Sequence, residues 1–435
     1  MARKPPPPQK QKTKHKQEPT PARPPVVTKD PSGSGAILTG DPQFGQPVAS
    51  PDPTKFTVEH GSDNQLYNLV KAGLLQKIPP PRTQNLTVPL ASIWGSSGAA
   101  RVAAIQKAGQ IVFHVVGDSG SVNGPATQSL VADKMVADFT DPNPPDRPQF
   151  CFHLGDVVYS FGEAKFYYDQ FYDPYRNYPA PIVAIPGNHD GQVYSTDSAP
   201  SLTAFLENFV TAAPMKSLQS GGLIRTTMTQ PAVYFALDAP LITIIGLYSN
   251  VLEDPGVISS QGDKTSPVDD QQLGFLTSAL TQAKAAGKPV IIATHHPPYS
   301  GGSAHGGSPA MLADIDGICQ KVGIWPHAHL SGHAHNYQRY TRTVTGFEIP
   351  YIVSGDGGHG LTAMATASTP LRTPYVISSQ VTLENYNDQD YGYMRVVVGG
   401  GQIRIEFHGI ATGVDAKSPV DVVTVDIASH KMVAS

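Results

Sequence analysis

The chain has 435 residues, 40% hydrophobic and 15% charged, which is enough apolar material for a large core. Its net charge of −4 is uneven: residues 1–35 carry eight Lys/Arg against two acids, a net of +6, leaving −10 on the rest. So acidic a body excludes a broad basic face for nucleic acid, two cysteines (Cys151 and Cys319) exclude a disulfide framework, and no apolar run reaches the ~18 residues of a membrane helix. Residues 1–35 hold nine prolines and little aliphatic bulk, so they read as an extended, disordered tail. The charge of that tail suits an anionic or protein partner. No apolar core of a signal peptide is visible, which leaves the compartment open between the cytoplasm and export by another route. Residues 36–107 read as a loop-rich lead-in, with Pro-Pro-Pro at 79–81 and a short helix at Leu66–Leu75.

A different rhythm then begins. Ile111–Val116, Phe150–Leu154, Ile182–Ile185, Val290–Thr294 and Ile349–Ser354 are short apolar runs that end in glycine-containing loops, the pattern of buried strands. Tyr234–Leu237, Ile242–Leu247, Tyr393–Val398 and Gln402–Phe407 add further strands, the last two paired across Gly399–Gly401. Ser266-Pro267-Val268-Asp269 is a helix start signal, and Leu273, Leu276, Leu280 and Ala283 hold one face until Gly287. Cys151 falls in a strand and Cys319 in a helix, both expected as buried thiols. Residues 411–435 read as a C-terminal strand or tail. Alternating strands and helices predict an α/β protein whose active loops lie at strand C-terminal ends.

Five segments carry chemistry: Gly117-Asp118-Ser119-Gly120, Gly155-Asp156-Val157-Val158-Tyr159, Gly187-Asn188-His189-Asp190, His295-His296-Pro297-Pro298-Tyr299 and Gly332-His333-Ala334-His335. Each follows or ends a predicted strand, the one before Gly332 carrying only a weak strand pattern. They supply carboxylates, an amide oxygen, imidazoles and a phenol, a donor set suited to Fe, Mn or Zn rather than to Ca or Mg. Thiolates are absent, which argues against a structural zinc site. Two metals ~3.5–4 Å apart that share a carboxylate and a hydroxide can clamp a phosphate through its oxygens. Each piece alone is weak: Gly-Asp occurs five times, and His327-Ala328-His329 shows how cheaply His-x-His arises. All five in order are specific.

The ordered set GDSG, GDVVY, GNHD, THHPPYS and GHAHNYQR resembles the calcineurin-like metallophosphoesterase superfamily, and within it the purple acid phosphatase branch. Most of that superfamily carries Asp-x-His in the first motif, whereas this chain has Gly120 in place of the histidine. Tyr159, three residues after Asp156, stands where the purple branch places a metal-binding tyrosinate. The resemblance covers about residues 108–410, which it implies are a catalytic domain. It implies a four-layer αββα sandwich of two mixed sheets flanked by helices. It also implies a dinuclear centre, Fe(III) with a divalent Fe, Mn or Zn. Asp118, Asp156, Tyr159 and His335 would hold the first metal. Asp156, Asn188, His295 and His333 would hold the second.

His189 is then expected over the substrate, protonating the leaving alkoxide or stabilising charge. His296 is a further substrate or supporting candidate beside His295. Asn188 would also contact the substrate. Gly301–Ser308, with His305 inside, reads as a substrate loop or a plain surface loop. Gly355-Asp356-Gly357-Gly358-His359 resembles a family loop that runs near the metals, which implies Asp356 and His359 as supporting or structural residues rather than ligands, and Asp190 reads as orienting His189 or its loop. The implied activity is hydrolysis of small phosphate monoesters by a metal-bound hydroxide, as in acid phosphatases. A phosphodiesterase on the same site, such as a phospholipase C or nucleotide hydrolase, is the nearest alternative. A retired enzyme acting as a scaffold through its Pro-rich tail is the alternative of another class.

Overall fold

Runs rich in Val and Ile form strands here because branched side chains fit a pleated surface that is covered on both faces. In this computed structural model the residues described are 78–121, 124–159, 162–191, 202–249, 256–260, 262, 268–302, 305–364, 371–410 and 418–433. The tail of residues 1–35 and the helix expected at Leu66–Leu75 lie outside them.

Among the described residues two mixed sheets form, with strands numbered in chain order. The nine-stranded sheet runs β1 (Thr87–Pro89), β5 (Phe235–Asp238), β6 (Thr243–Gly246), β7 (Val290–Ala293), β8 (Ala328–Ser331), β10 (Phe347–Ser354), β9 (Tyr337–Val344), β12 (Val381–Asn387), β11 (Tyr375–Val376). The seven-stranded sheet runs β16 (Lys431–Val433), β15 (Asp421–Asp426), β14 (Gln402–Gly409), β13 (Gly392–Gly399), β2 (Gln110–Val116), β3 (Cys151–His153), β4 (Ile182–Ala184). The helices are α1 (Gly98–Ala108), α2 (Ala126–Ala137), a single turn α3 (Asn188–Gly191), α4 (Thr203–Phe209), α5 (Gln271–Ala285) and α6 (Pro309–Val322). The architecture is the expected α/β sandwich, two mixed sheets flanked by helices.

Period-two alternation decides which face each side chain takes. Ile111, Phe113 and Val115 of β2 meet Phe235, Leu237, Ile291 and Ile352 of the other sheet in one buried cluster. Val290 and Ile292 point the other way and join a cluster with Leu276 and Leu280 of α5 and Met311 and Ile315 of α6. Each such aliphatic side chain stabilises the fold by about 1.5–3 kcal/mol. The strands β2, β3 and β4 are parallel to one another, as are β6, β7 and β8. Parallel strands send their C-terminal loops to one edge, and the loops after β2, β3, β4, β7 and β8 are the five motif segments.

The expected hairpin is present, Gly399 pairing with Gln402 across Gly400 and Gly401. α5 begins at Gln271 rather than at Pro267. Asp270 is its N-cap residue, and Asp269 Oδ1 accepts the N–H of Gln271 at 3.0 Å. Ser266 and Pro267 lie outside the described residues. β9 and β12 had no counterpart among the apolar runs. In β9, Arg339 and Arg342 break the pattern, and each is paired with an acid, Asp421 and Asp316. Both cysteines are buried. At the chain's two ends, β1 within segment 36–107 pairs in parallel with β5, and β15 within segment 411–435 pairs with β14.

Candidate metal centre

The motif loops turn sharply where each strand ends. Asp118, Asp156 and His333 all adopt positive φ (54°, 54° and 70°), which non-glycine residues rarely do and which costs about 1–3 kcal/mol each. Three such residues at one edge of the sandwich, two after strands of one sheet and one after a strand of the other, are the mark of a site whose geometry outweighs local strain. The turn at Gly187 has no room for a side chain: a Cβ there would stand 2.0 Å from Asp156 Oδ1.

One group of donors converges on Tyr159. Its hydroxyl donates to Asp156 Oδ2 (2.9 Å) or Asp118 Oδ1 (3.1 Å), and lies 3.2 Å from His335 Nε2. His335 Nε2 is 3.5 Å from Asp118 Oδ1. Asp118, Asp156 and Tyr159 are essentially inaccessible to solvent. Burial raises the Tyr159 phenol well above its ordinary range, and the two carboxylates beside it push it further. A phenolate there therefore requires added positive charge.

The other group converges on Asn188. Its Oδ1 lies 2.9 Å from His295 Nε2 and 3.1 Å from His333 Nδ1. His295 Nδ1 donates to the Leu154 carbonyl at 2.9 Å. In the neutral imidazole that bond leaves the Nε2 lone pair facing Asn188 Oδ1 and Asp156 Oδ2, the latter at 3.3 Å. Lone pairs facing lone pairs need a cation between them. Without a metal the cation is a proton: burial opposes it, but Asp156 and Asp118 outweigh burial and raise His295 to about 9. Burial would likewise raise Asp156, yet His295, His189 and His333 hold it well below the carboxylate range. Asp118, Asp156 and His295 each offer an atom within 4.8 Å of the others, spacing that fits a metal ion.

All seven predicted ligand residues are thus brought together, with Asp156 touching both groups. Backbone bonds lock the loops to each other. The N–H of His189 donates to Asp156 Oδ1 (2.9 Å), and that of His333 to Asp118 Oδ2 (2.8 Å). Asp190 accepts from Gly187 (2.8 Å), Val157 (3.1 Å) and Val158 (3.2 Å), which ties the second and third motifs together. Burial and the Asp156 charge raise Asp190 to about 7, against the pull of those N–H groups. His189 is partly exposed, its ring 4.3 Å from that of Tyr159. His305 is partly exposed too, 4.1 Å from the His333 ring. His296 is 1% exposed: its N–H donates to Ser249 Oγ (3.0 Å), its Nδ1 is 3.2 Å from the same oxygen, and its ring lies 4.2 Å from His333.

Three supporting residues escaped sequence reasoning. Ser249 carried no signal. His153 interrupts an apolar strand; it lies 2.8 Å from Ser119 Oγ and accepts the N–H of Gly155 (3.1 Å). Burial lowers it to about 4, so it is neutral. Gln170 sits in a π-helical turn, Tyr168–Tyr172, a form frequent at functional sites. Its amide bonds both backbone groups of Tyr159, at 2.8 and 3.0 Å.

The family model described as calcineurin-like phosphoesterase matches residues 111–337. Among solved structures the chain is similar to GAP50, the anchor in the inner membrane complex of Plasmodium, at 16% identity over 72% of this chain and 87% of that one (TM-score 0.47). It is also similar to PhoD, at 12% identity over 82% and 72% (TM-score 0.43). A dimetal phosphatase from Danio rerio matches at 12% identity over 73% and 99% (TM-score 0.42). No curated protein gives a match.

Proposed function

The chain belongs to the calcineurin-like phosphoesterase family, and on that premise we propose that it is an acid phosphatase of the purple kind, hydrolysing small phosphate monoesters on a dinuclear centre. Asp118, Asp156, Tyr159 and His335 would hold the first metal in this reading, and Asp156, Asn188, His295 and His333 would hold the second. When bound, a ferric ion and a divalent Fe, Mn or Zn would supply Lewis acidity toward phosphate and acidify water.

The protein's own groups do the rest. Asp190 fixes the second motif against the third through the N–H groups of Val157 and Val158, and braces its own turn through that of Gly187. His189, partly exposed beside Tyr159, is assigned to protonate the leaving alkoxide. His305, on the His333 side, is assigned to contact phosphate oxygens. His296, 1% exposed, is assigned to hold the His333 ring through its Ser249 anchor rather than to touch substrate.

The observation that carries the purple reading is the Tyr159 hydroxyl, within 3.2 Å of two carboxylates and His335. The test compares p-nitrophenyl phosphate with bis-p-nitrophenyl phosphate on protein purified without chelator. Faster monoester turnover, lost on chelation and restored by iron with zinc or manganese, is expected. Faster diester turnover would transfer the site to a phosphodiesterase, and no turnover of either after loading would end the hydrolase reading.

A further inference from the structure

The segment Gly355-Asp356-Gly357-Gly358-His359 leaves β10 and runs back over the first motif. Its backbone is bound there: Gly357 N donates to Gly117 O and His359 N to Asp118 O, both at 3.0 Å. Thr127 Oγ1 donates to Gly358 O at 3.0 Å. The side chain is tied as well, with His359 Nδ1 3.2 Å from Gly120 O. A carbonyl only accepts, so Nδ1 is the donor. Held this way, the imidazole lies flat on the Tyr159 phenol, ring centroids 3.8 Å apart and planes 14° from parallel. It also meets the His335 ring edge-on at 4.7 Å.

Gly120 is the hinge of this arrangement. A Cβ at that position would stand 3.0 Å from Tyr159 Cδ2, and its carbonyl is the acceptor for His359. The missing side chain admits the phenol, and the bare backbone pins the imidazole that covers it. Rotation about the Tyr159 Cβ–Cγ bond leaves the phenol oxygen in place but turns the ring plane, and with it the oxygen π orbital. A flat, doubly anchored ring stacked on the phenol restricts that rotation.

We propose that His359 is a positioning residue that clamps the ring plane of Tyr159 and so sets how its oxygen overlaps with a bound metal. The inference rests on the reading of Tyr159 as a metal-binding phenolate, and its test has one arm that does not. In metal-free full-length protein, thermal midpoints are compared for wild type, His359→Ala, Tyr159→Leu and the double variant. The His359 change should lower the midpoint clearly in wild type and by less than half as much once Tyr159 is leucine. In iron-loaded protein, His359→Ala should shift and broaden the visible phenolate band at unchanged iron content. His359→Phe, which keeps a flat ring, should restore the band. Additive midpoints, or a band that His359→Ala leaves unmoved, would overturn the clamp. Coupled midpoints with no band in the wild type would instead overturn the metal reading of Tyr159, and the positioning role with it.

Discussion

Gly120 and Tyr159 compete for one volume: a Cβ on the glycine would lie 3.0 Å from Tyr159 Cδ2 and 2.7 Å from both Val157 O and Gln170 Oε1. A backbone oxygen among those neighbours cannot move cheaply. Gly120→Ala should therefore destabilise the protein by about 1–3 kcal/mol, read as a lower urea midpoint at unchanged slope. An unchanged midpoint would mean that the slot is not tight.

Asp190 serves the motif loops as a buried acceptor of backbone N–H groups. Asp190→Ala strands three buried N–H groups, on Gly187, Val157 and Val158. Loss of such a supporting residue lowers metal affinity by about 10–100-fold. Asp190→Asn keeps one acceptor oxygen and should lose less. Metal titration by calorimetry orders the three proteins, and equal affinities would remove Asp190 from the site.

The two sheets are joined by Asp421 of β15. Its carboxylate accepts Arg339 Nε (2.6 Å) and Nη2 (3.0 Å) and the Tyr337 hydroxyl (2.9 Å), both from β9. Asp421→Asn takes the partner carboxylate charge from a mostly buried guanidinium and should destabilise by about 2–3 kcal/mol, below the full cost of a deeply buried pair because the site is partly solvated. Chemical denaturation measures this directly, and a loss of only a few tenths would mark the link as incidental.

Acid should weaken the fold through His327. Burial, with the stacked His430 ring 4.1 Å away, lowers this imidazole to about 4. The unfolded chain takes up the proton near pH ~6.5, whereas the folded chain refuses it until about 4. Between those values the unfolded state binds more protons, so stability falls as pH falls, by up to about 1.4 kcal/mol per unit. His327→Gln should flatten this slope in metal-free protein melted across that range. An identical slope would assign the acid sensitivity to other groups.

The sequence carried the central strands because most of β2, β3, β7 and β10 is buried on both faces and reads as mainly apolar runs, even with His114 inside β2 and His153 at the end of β3. β9 was hidden because Arg339 and Arg342 look like surface residues until Asp421 and Asp316, distant in sequence, pair with them. The start of α5 lies later than the Ser266 signal indicates because Asp269, not Ser266, supplies the side-chain acceptor for the first helical N–H, that of Gln271. At the site, the motif residues were legible because strand ends fix where Asp118, Asp156, Asn188 and His295 must project. The flat contact of His359 with Tyr159, and the burial of His296 against Ser249, depend on loops packing across the sandwich, which no local pattern encodes.

The most direct test of the central claim is the visible absorption spectrum of iron-loaded protein, taken with its metal content. Tyr159 as an iron ligand predicts a broad visible charge-transfer band, two metals per chain, and loss of the band in Tyr159→Phe with both metals kept. A colourless iron-loaded protein, or a band that survives Tyr159→Phe, would contradict the account.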